Sequence, residues 1–285
     1  MTLPNPGRSD RPTRIVITDL DGTLLDHETY CWDPAVPAMQ KLKRLRWPLV
    51  LCSSKTAAEM IPLQQAMGTG APLIVENGGG IYLPKGYFET LPSDLETRGS
   101  FLLLPLGEPL AELAEALRRL EEKLGGMLVL WKDLSADEIA RETGLSLEAA
   151  QRSKQREFDI PFRLRESSPE AERKLGGEWQ AGMSRRGLRL TRGGRYFHLT
   201  GDFDKGDAVR RLLDLYRRNG WRTIQSIGLG DSLNDLGLLQ AVDIPVQIPN
   251  PASAASLQDR IPGLLQAPAP GPEGWNQIVL SLTEA

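Results

Sequence analysis

The stretch Arg14-Ile15-Val16-Ile17-Thr18-Asp19-Leu20-Asp21-Gly22-Thr23 sets the character of the whole chain. Its apolar, β-branched half suits a covered strand. Side chains alternate along a strand, so Asp19 and Asp21 share a face if the strand continues. If it stops at Asp19, Gly22 permits a sharp turn and both acids project from the strand's C-terminal end. In an open α/β sheet that end is where ligands bind. By itself the pattern also fits an ordinary strand end with one capping and one turn aspartate.

Working outward, the motif repeats in kind. A helix is expected over 32–46, opened by Asp33-Pro34, with Val36, Met39, Leu42 and Leu45 on one stripe. The run Pro48-Leu49-Val50-Leu51-Cys52 then ends in Ser53-Ser54-Lys55-Thr56. A helix over 57–67 leads to Pro72-Leu73-Ile74-Val75, which ends in Glu76-Asn77-Gly78-Gly79-Gly80. Strands alternating with helices in this way predict a parallel sheet with right-handed crossovers.

The pattern changes after residue 84. Leu106, Leu110, Leu113, Leu117, Leu120 and Leu124 mark an amphipathic helix, and Met127-Leu128-Val129-Leu130-Trp131 a strand. Short helices are expected at 135–142 and 146–155, a strand at 162–165 and a helix at 170–183. Leu188-Arg189-Leu190-Thr191 and Tyr196-Phe197-His198-Leu199 flank Arg192-Gly193-Gly194-Arg195, a hairpin signal. The first style then returns, with a helix over 206–219, a strand over 223–229 ending in Gly230-Asp231-Ser232-Leu233-Asn234-Asp235, and a strand over 244–248. The expected fold is α/β: a Rossmann-like, doubly wound parallel-sheet core with an inserted α+β cap domain. Its divisions are a tail at 1–12, core segments at 13–83 and 199–285, and the cap at 84–198.

Composition narrows the partners. Hydrophobic residues at 40% and charged residues at 25% describe a globular chain with a real core. A net charge of -3 offers no general affinity for nucleic acid or membrane and points to a small-molecule partner. Cys31 and Cys52, the only cysteines, form no metal or disulfide pattern and suit a reducing cytoplasm. No run reaches the length of a membrane span, and the first twelve residues lack the apolar core of a signal peptide.

Chemistry collects at the strand ends. Asp19, Asp21 and Asp231 offer hard oxygen ligands for Mg²⁺, and Lys205 offsets part of their mutual repulsion. Phosphoryl transfer suits such a site, because it needs positioning and cationic groups more than covalent machinery. Asp19, nearest the rigid strand, is the expected nucleophile, and Asp21 the acid and base. Ser53 and Lys205 would bind the phosphoryl oxygens. Taken singly, each has a plain structural reading: Ser53 as a helix cap, Lys205 as a surface lysine, Asp231 and Asp235 as first-turn acids. His27 and His198 are expected to stay outside the chemistry, and Trp32, Trp47 and Trp131 to pack.

Together and in this order, Asp19-Leu20-Asp21-Gly22-Thr23, Ser53, Lys205 and Gly230-Asp231-Ser232-Leu233-Asn234-Asp235 resemble the ordered motifs of the haloacid dehalogenase-like (HAD) phosphatases. The resemblance implies Asp19 as nucleophile and Asp21 as acid and base, with Mg²⁺ held by Asp19, the Asp21 backbone carbonyl and Asp231. Asn234 and Asp235 would support the metal from behind. Leu51-Cys52-Ser53-Ser54-Lys55-Thr56, Glu76-Asn77-Gly78-Gly79 and Arg156-Glu157-Phe158-Asp159-Ile160-Pro161-Phe162 are more narrowly similar to the mannosyl-3-phosphoglycerate phosphatases. That implies release of phosphate from mannosyl-3-phosphoglycerate, or its glucosyl analogue, to give a compatible solute. It also implies Ser53, Ser54 and Lys55 as a substrate-binding loop. The substrate carries a carboxylate as well as a phosphate, so cap arginines are expected to bind it, Arg156 from the resemblance and Arg195 from its hairpin tip. The alternatives are another sugar-phosphate phosphatase, a phosphomutase on the same core, or a non-catalytic sugar-phosphate binding module.

Overall fold

The computed structural model describes residues 13–124, 126–165, 180–193, 196–250 and 257–284. The expected tail at 1–12 and most of the expected helix at 170–183 lie outside them. A nine-stranded sheet forms the base. Its strands are β1 (Thr13–Thr18), β2 (Leu49–Cys52), β3 (Leu73–Val75), β4 (Gly80–Pro84), β5 (Glu96–Arg98), β6 (Phe101–Pro105), β11 (Ile224–Gly230), β12 (Ile244–Gln247) and β13 (Leu265–Gln266). A second, four-stranded sheet holds β7 (Leu128–Leu130), β8 (Asp159–Leu164), β9 (Leu188–Gly193) and β10 (Tyr196–Gly201).

The large sheet runs β13-β12-β11-β1-β2-β3-β4-β6-β5. It is parallel from β13 to β3 and antiparallel beyond. Strands β5 and β6, inside the stretch expected to be cap, therefore hydrogen-bond into the core sheet. The amphipathic helix expected from Leu106 starts at Leu110, because Leu106 still donates its N–H to the Gly79 carbonyl beside β4.

The helices are α1 (Val36–Leu45), α2 (Ala57–Met67), α3 (Leu110–Leu124), α4 (Ala136–Thr143), α5 (Leu147–Ser153), α6 (Gln180–Ser184), α7 (Lys205–Arg218), α8 (Leu236–Gln240) and α9 (Gly271–Glu284). Both faces of the large sheet are covered, which is why β1 reads as a continuous apolar run. Val16 packs with Ala38 and Leu42 of α1 and Trp275 of α9, while Ile15 and Ile17 pack with Leu212 and Tyr216 of α7. The Trp275 indole also donates to the Thr18 hydroxyl at 3.0 Å, satisfying both buried groups. In the small sheet, Phe162, Leu190 and Leu199 face Leu113 and Leu117 of α3.

Parallel pairing places the C-terminal ends of β12, β11, β1, β2 and β3 along one edge. The loop before and into β8 bridges from that region to the small sheet. Phe158 seats its ring against Gly79 and Gly80, where any Cβ would collide with it. The carboxylate of buried Glu76 accepts the backbone N–H groups of Glu157 and Phe158, each at 2.9 Å. Glu157 in turn accepts from the Tyr82 hydroxyl and pairs with Arg98 at 3.2 Å.

Candidate active site

Asp19 follows β1 directly. Its N–H donates to the Leu229 carbonyl at 2.9 Å, so pairing with β11 extends to its backbone and the carboxylate leaves from the last rigid point of the strand. The chain then doubles back, with the N–H groups of Thr23 and Leu25 both donating to the Leu20 carbonyl at 3.1 and 2.8 Å. Gly22 holds this turn at φ 76°, in the left-handed region. A Cβ there would stand 2.8 Å from a carboxylate oxygen of Asp231, so the turn and the close approach both call for glycine.

Lys205 opens α7 behind Asp204, whose side chain forms a capping box with Asp207. The cap aims the first helical residue into the core, and the Lys205 ammonium lies 2.6 Å from Asp19 Oδ1 and 2.6 Å from Asp235 Oδ1. Burial pulls the ammonium toward neutrality, but Asp19 and Asp235 outweigh it and hold it well above the ordinary lysine range. Asp235 is itself fully committed. Its other oxygen accepts the N–H groups of Asp231 and Ser232 and the Ser232 hydroxyl, all at 3.1 Å. It therefore fixes the turn that presents Asp231.

Asp19, Asp231 and Asp235 are all buried, and each offers an oxygen within 4.8 Å of the others. Burial first and the neighbouring Asp235 second push Asp19 up to about 8 and Asp231 to about 6, against the pull of Lys205. Three carboxyl groups share one ammonium, an excess of acidic groups in a buried site. The donor set and the acidic excess both fit one divalent, oxygen-preferring cation.

Asp21 stands beside this cluster. One of its oxygens pairs with Lys55 at 2.8 Å, and the Lys55 ammonium rests 5.2 Å from the centre of the Tyr30 ring. Burial works against the Lys55 charge, yet Asp21 and Glu59 raise it above its usual range. The other Asp21 oxygen is buried with no hydrogen-bond partner among the described residues. Ser53 is buried after β2; the register pairs Thr18 with Leu51, so Asp19 and Ser53 leave neighbouring strands at the same edge. Its hydroxyl accepts the Lys55 N–H at 3.3 Å.

The folded chain thus gathers Asp19, Lys205, Asp231 and Asp235 into one contact network, with Asp21, Lys55 and Ser53 around it. Asn234 donates to Asn77 at 2.9 Å and faces the cap. Arg156 donates to Asp159 at 2.7 Å and to the Ser54 carbonyl at 3.3 Å, tying the small sheet to the loop after β2. Arg195 lies outside the described residues.

Sequence reading overlooked Asn250, whose side-chain amide donates to Asp231. It stands three residues past β12, and the rule that loops after parallel strands meet at one edge would have included it. Glu76 and Asp159 entered only within the motifs that carry the resemblance, without a role of their own, and the Asp159–His198 pair is joined only by antiparallel pairing of β8 and β10.

The family profile of the haloacid dehalogenase-like hydrolases matches residues 16–92. A glucosyl-3-phosphoglycerate/mannosyl-3-phosphoglycerate phosphatase from Methanococcoides burtonii is 37% identical over 94% of this chain and 96% of its own length. A mannosyl-3-phosphoglycerate phosphatase from Pyrococcus furiosus is 33% identical over 81% of this chain and 88% of its own. In fold, the chain is similar to the crystal structure of a haloacid dehalogenase-like hydrolase from Bacteroides thetaiotaomicron. That match has a TM-score of 0.66 at 13% identity, covering 95% of this chain and 100% of the other.

Proposed function

The chain belongs to the haloacid dehalogenase-like hydrolases, in the mannosyl-3-phosphoglycerate phosphatase family, and from that footing we propose that it is a Mg²⁺-dependent phosphatase acting on mannosyl-3-phosphoglycerate and its glucosyl analogue. The observation that carries this reading is the buried carboxylate cluster of Asp19, Asp231 and Asp235 around the Lys205 ammonium. Asp19 and Asp231, with the Asp21 backbone carbonyl, would hold Mg²⁺. When bound, that ion supplies positive charge to the phosphoryl oxygens.

The chain's own residues divide the remaining work. An Asp19 carboxylate oxygen attacks phosphorus, and the bond from phosphorus to the glycerate oxygen breaks. The result is an aspartyl-phosphate and a departing alkoxide. Asp21 gives that alkoxide its proton; it then takes one from a water, whose oxygen attacks the same phosphorus and restores Asp19 with release of phosphate. Lys205 pulls the nucleophile toward its charged form and fixes it, and Ser53 and the loop through Lys55 receive the phosphoryl oxygens. In this reading the cap is the four-stranded sheet with α3 to α6, entered after β6, and it shields the phosphoenzyme from bulk water.

Phosphate release from a panel of phosphoesters, with and without Mg²⁺, tests the assignment. Mannosyl- and glucosyl-3-phosphoglycerate should be hydrolysed fastest and only with the ion. Equal rates on unrelated sugar phosphates would remove the narrow assignment.

A further inference from the structure

The cap sheet has two unlike faces. Phe162, Leu190 and Leu199 point to α3, and alternation turns the residues between them the other way. On that second face Arg189, Thr191 and His198 line a cavity of about 570 Å³, whose opposite wall includes Ser54, Asn77 and Asn234. This volume lies in the size range of small-molecule sites. Ser54 and Asn234 belong to loops that leave the same sheet edge as Asp19.

His198 is held in one orientation. Its Nδ1 lies 2.8 Å from an oxygen of Asp159, whose side chain has no exposure. Arg156 locks the same Asp159 oxygen at 2.7 Å and reaches across to the Ser54 carbonyl at 3.3 Å. Burial works against the Asp159 charge, but His198 and Arg156 hold the carboxyl below the usual range. An ionised carboxylate only accepts, so Nδ1 donates to it. Nε2 is then the ring's remaining polar atom, and it has no protein partner among the described residues. The second Asp159 oxygen and Arg156 Nε are buried and likewise without partners among the described residues. His198 thus lines the cavity with one ring nitrogen committed to Asp159 and the other without a protein partner among the described residues.

We propose that His198 recognises the alcohol portion of the substrate, its Nε2 hydrogen-bonding a hydroxyl of the sugar carried by the phosphorylated alcohol, with Asp159 as the positioning residue that fixes the ring. This rests on the phosphatase reading and assigns the part of the substrate that Asp19 and Asp21 do not touch.

The test compares kcat/KM on mannosyl-3-phosphoglycerate and on p-nitrophenyl phosphate at pH 8 with saturating Mg²⁺. p-Nitrophenyl phosphate carries no hydroxyl for Nε2 to meet. In His198→Ala the ratio of the two values should fall about 10- to 100-fold, mainly through KM. In His198→Gln the side-chain amide stands near the Nε2 position and should restore most of the ratio. His198→Asn keeps only a group near Nδ1, facing Asp159, and should not. Asp159→Asn, which no longer demands an Nδ1 donor, should lower the ratio without the loss seen in His198→Ala. Rescue by Asn and not by Gln, or equal losses on both substrates, would show a structural pair and overturn the proposal. If the wild type does not prefer a hexosyl-3-phosphoglycerate, the substrate assignment fails separately. The same variants are then measured on whichever polyol phosphoester it prefers, where the Gln and Asn pattern must still hold. A wild type preferring no polyol phosphoester overturns both.

Discussion

Lys205 places its ammonium 2.6 Å from an Asp19 carboxylate oxygen, across 186 residues of chain and with 1% of the lysine side chain exposed. No bulk water screens this pair, so its removal leaves Asp19, Asp231 and Asp235 facing one another uncompensated. Lys205→Met should destabilise the protein by about 3–5 kcal/mol, the range for breaking a buried ion pair. Denaturant unfolding measures it, and added Mg²⁺ should recover part of the loss because it supplies the missing positive charge. A variant as stable as the wild type without the ion would contradict the electrostatic role given to Lys205.

Asp19→Asn and Asp21→Asn should fail in different ways. Asp19→Asn removes the proposed nucleophile and should lower kcat at least about 10⁴-fold, with no alkali- and hydroxylamine-labile phosphoenzyme after an acid quench. Its stability should hold or rise, because burial already opposes the Asp19 charge. Asp21→Asn keeps the nucleophile. It should lose turnover while retaining Mg²⁺ binding, since the expected ligand there is the backbone carbonyl. Loss of Mg²⁺-dependent thermal stabilisation in Asp21→Asn would count against that ligand assignment.

Mg²⁺ should stabilise the fold even without substrate. At a hundredfold excess over its dissociation constant, an ion binding only the folded chain adds about 2.7 kcal/mol. Asp231→Asn should abolish this increment, and so should Asn250→Leu in part, because Asn250 steadies the Asp231 carboxylate. Thermal unfolding across a Mg²⁺ titration, with Ca²⁺ as a comparison, reads the effect.

Glu76 should give the stability curve a pH dependence of its own. Burial pushes its carboxyl up to about 7, against the lowering effect of Arg156 and of the N–H groups of Phe158 and Glu157. Its folded value is therefore above the 4.5 of an unperturbed side chain. A group raised in this way contributes most below about 4.5, and that contribution is lost as pH rises through about 7. Glu76→Gln leaves one of two backbone donors without its acceptor and should cost about 1–3 kcal/mol. The deficit should be largest near pH 5 and shrink toward pH 8. A deficit constant across that range would show that Glu76 does not titrate in it.

Much of the core was legible because its signals are local. The apolar run of β1 is covered on both faces, and the acids of Asp19-Leu20-Asp21 fall where a parallel strand ends. What escaped was decided by contacts far apart in sequence. Phe101-Leu102-Leu103-Leu104-Pro105 reads as the approach to an amphipathic helix, and only its pairing with β4 makes it a core strand. Lys205 looks like any helix-opening lysine until the Asp204 cap turns it inward. Asp235 has the spacing of a first-turn acid and does accept from that turn, yet its second oxygen belongs to Lys205, 30 residues away. Arg156 suggested a ligand for a carboxylate, and its visible partner is one, but the carboxylate is the chain's own Asp159. No pattern in one strand could reveal that Asp159 and His198 would meet, since neither periodicity nor motif carries the register of β8 on β10.

The central position of β1 has a consequence in time. One of its edges waits for β11, and the residues that meet there, such as Arg14 and Gln225, are 211 apart. At a synthesis rate of about 5–20 residues per second, that edge stays open for about 10–40 s in a newborn chain. Throughout that interval the strand leading to Asp19 keeps one apolar edge unpaired and the carboxylate cluster does not exist. The chain therefore makes the aspartate proposed as nucleophile early and surrounds it late, after every residue of the cap has already been made.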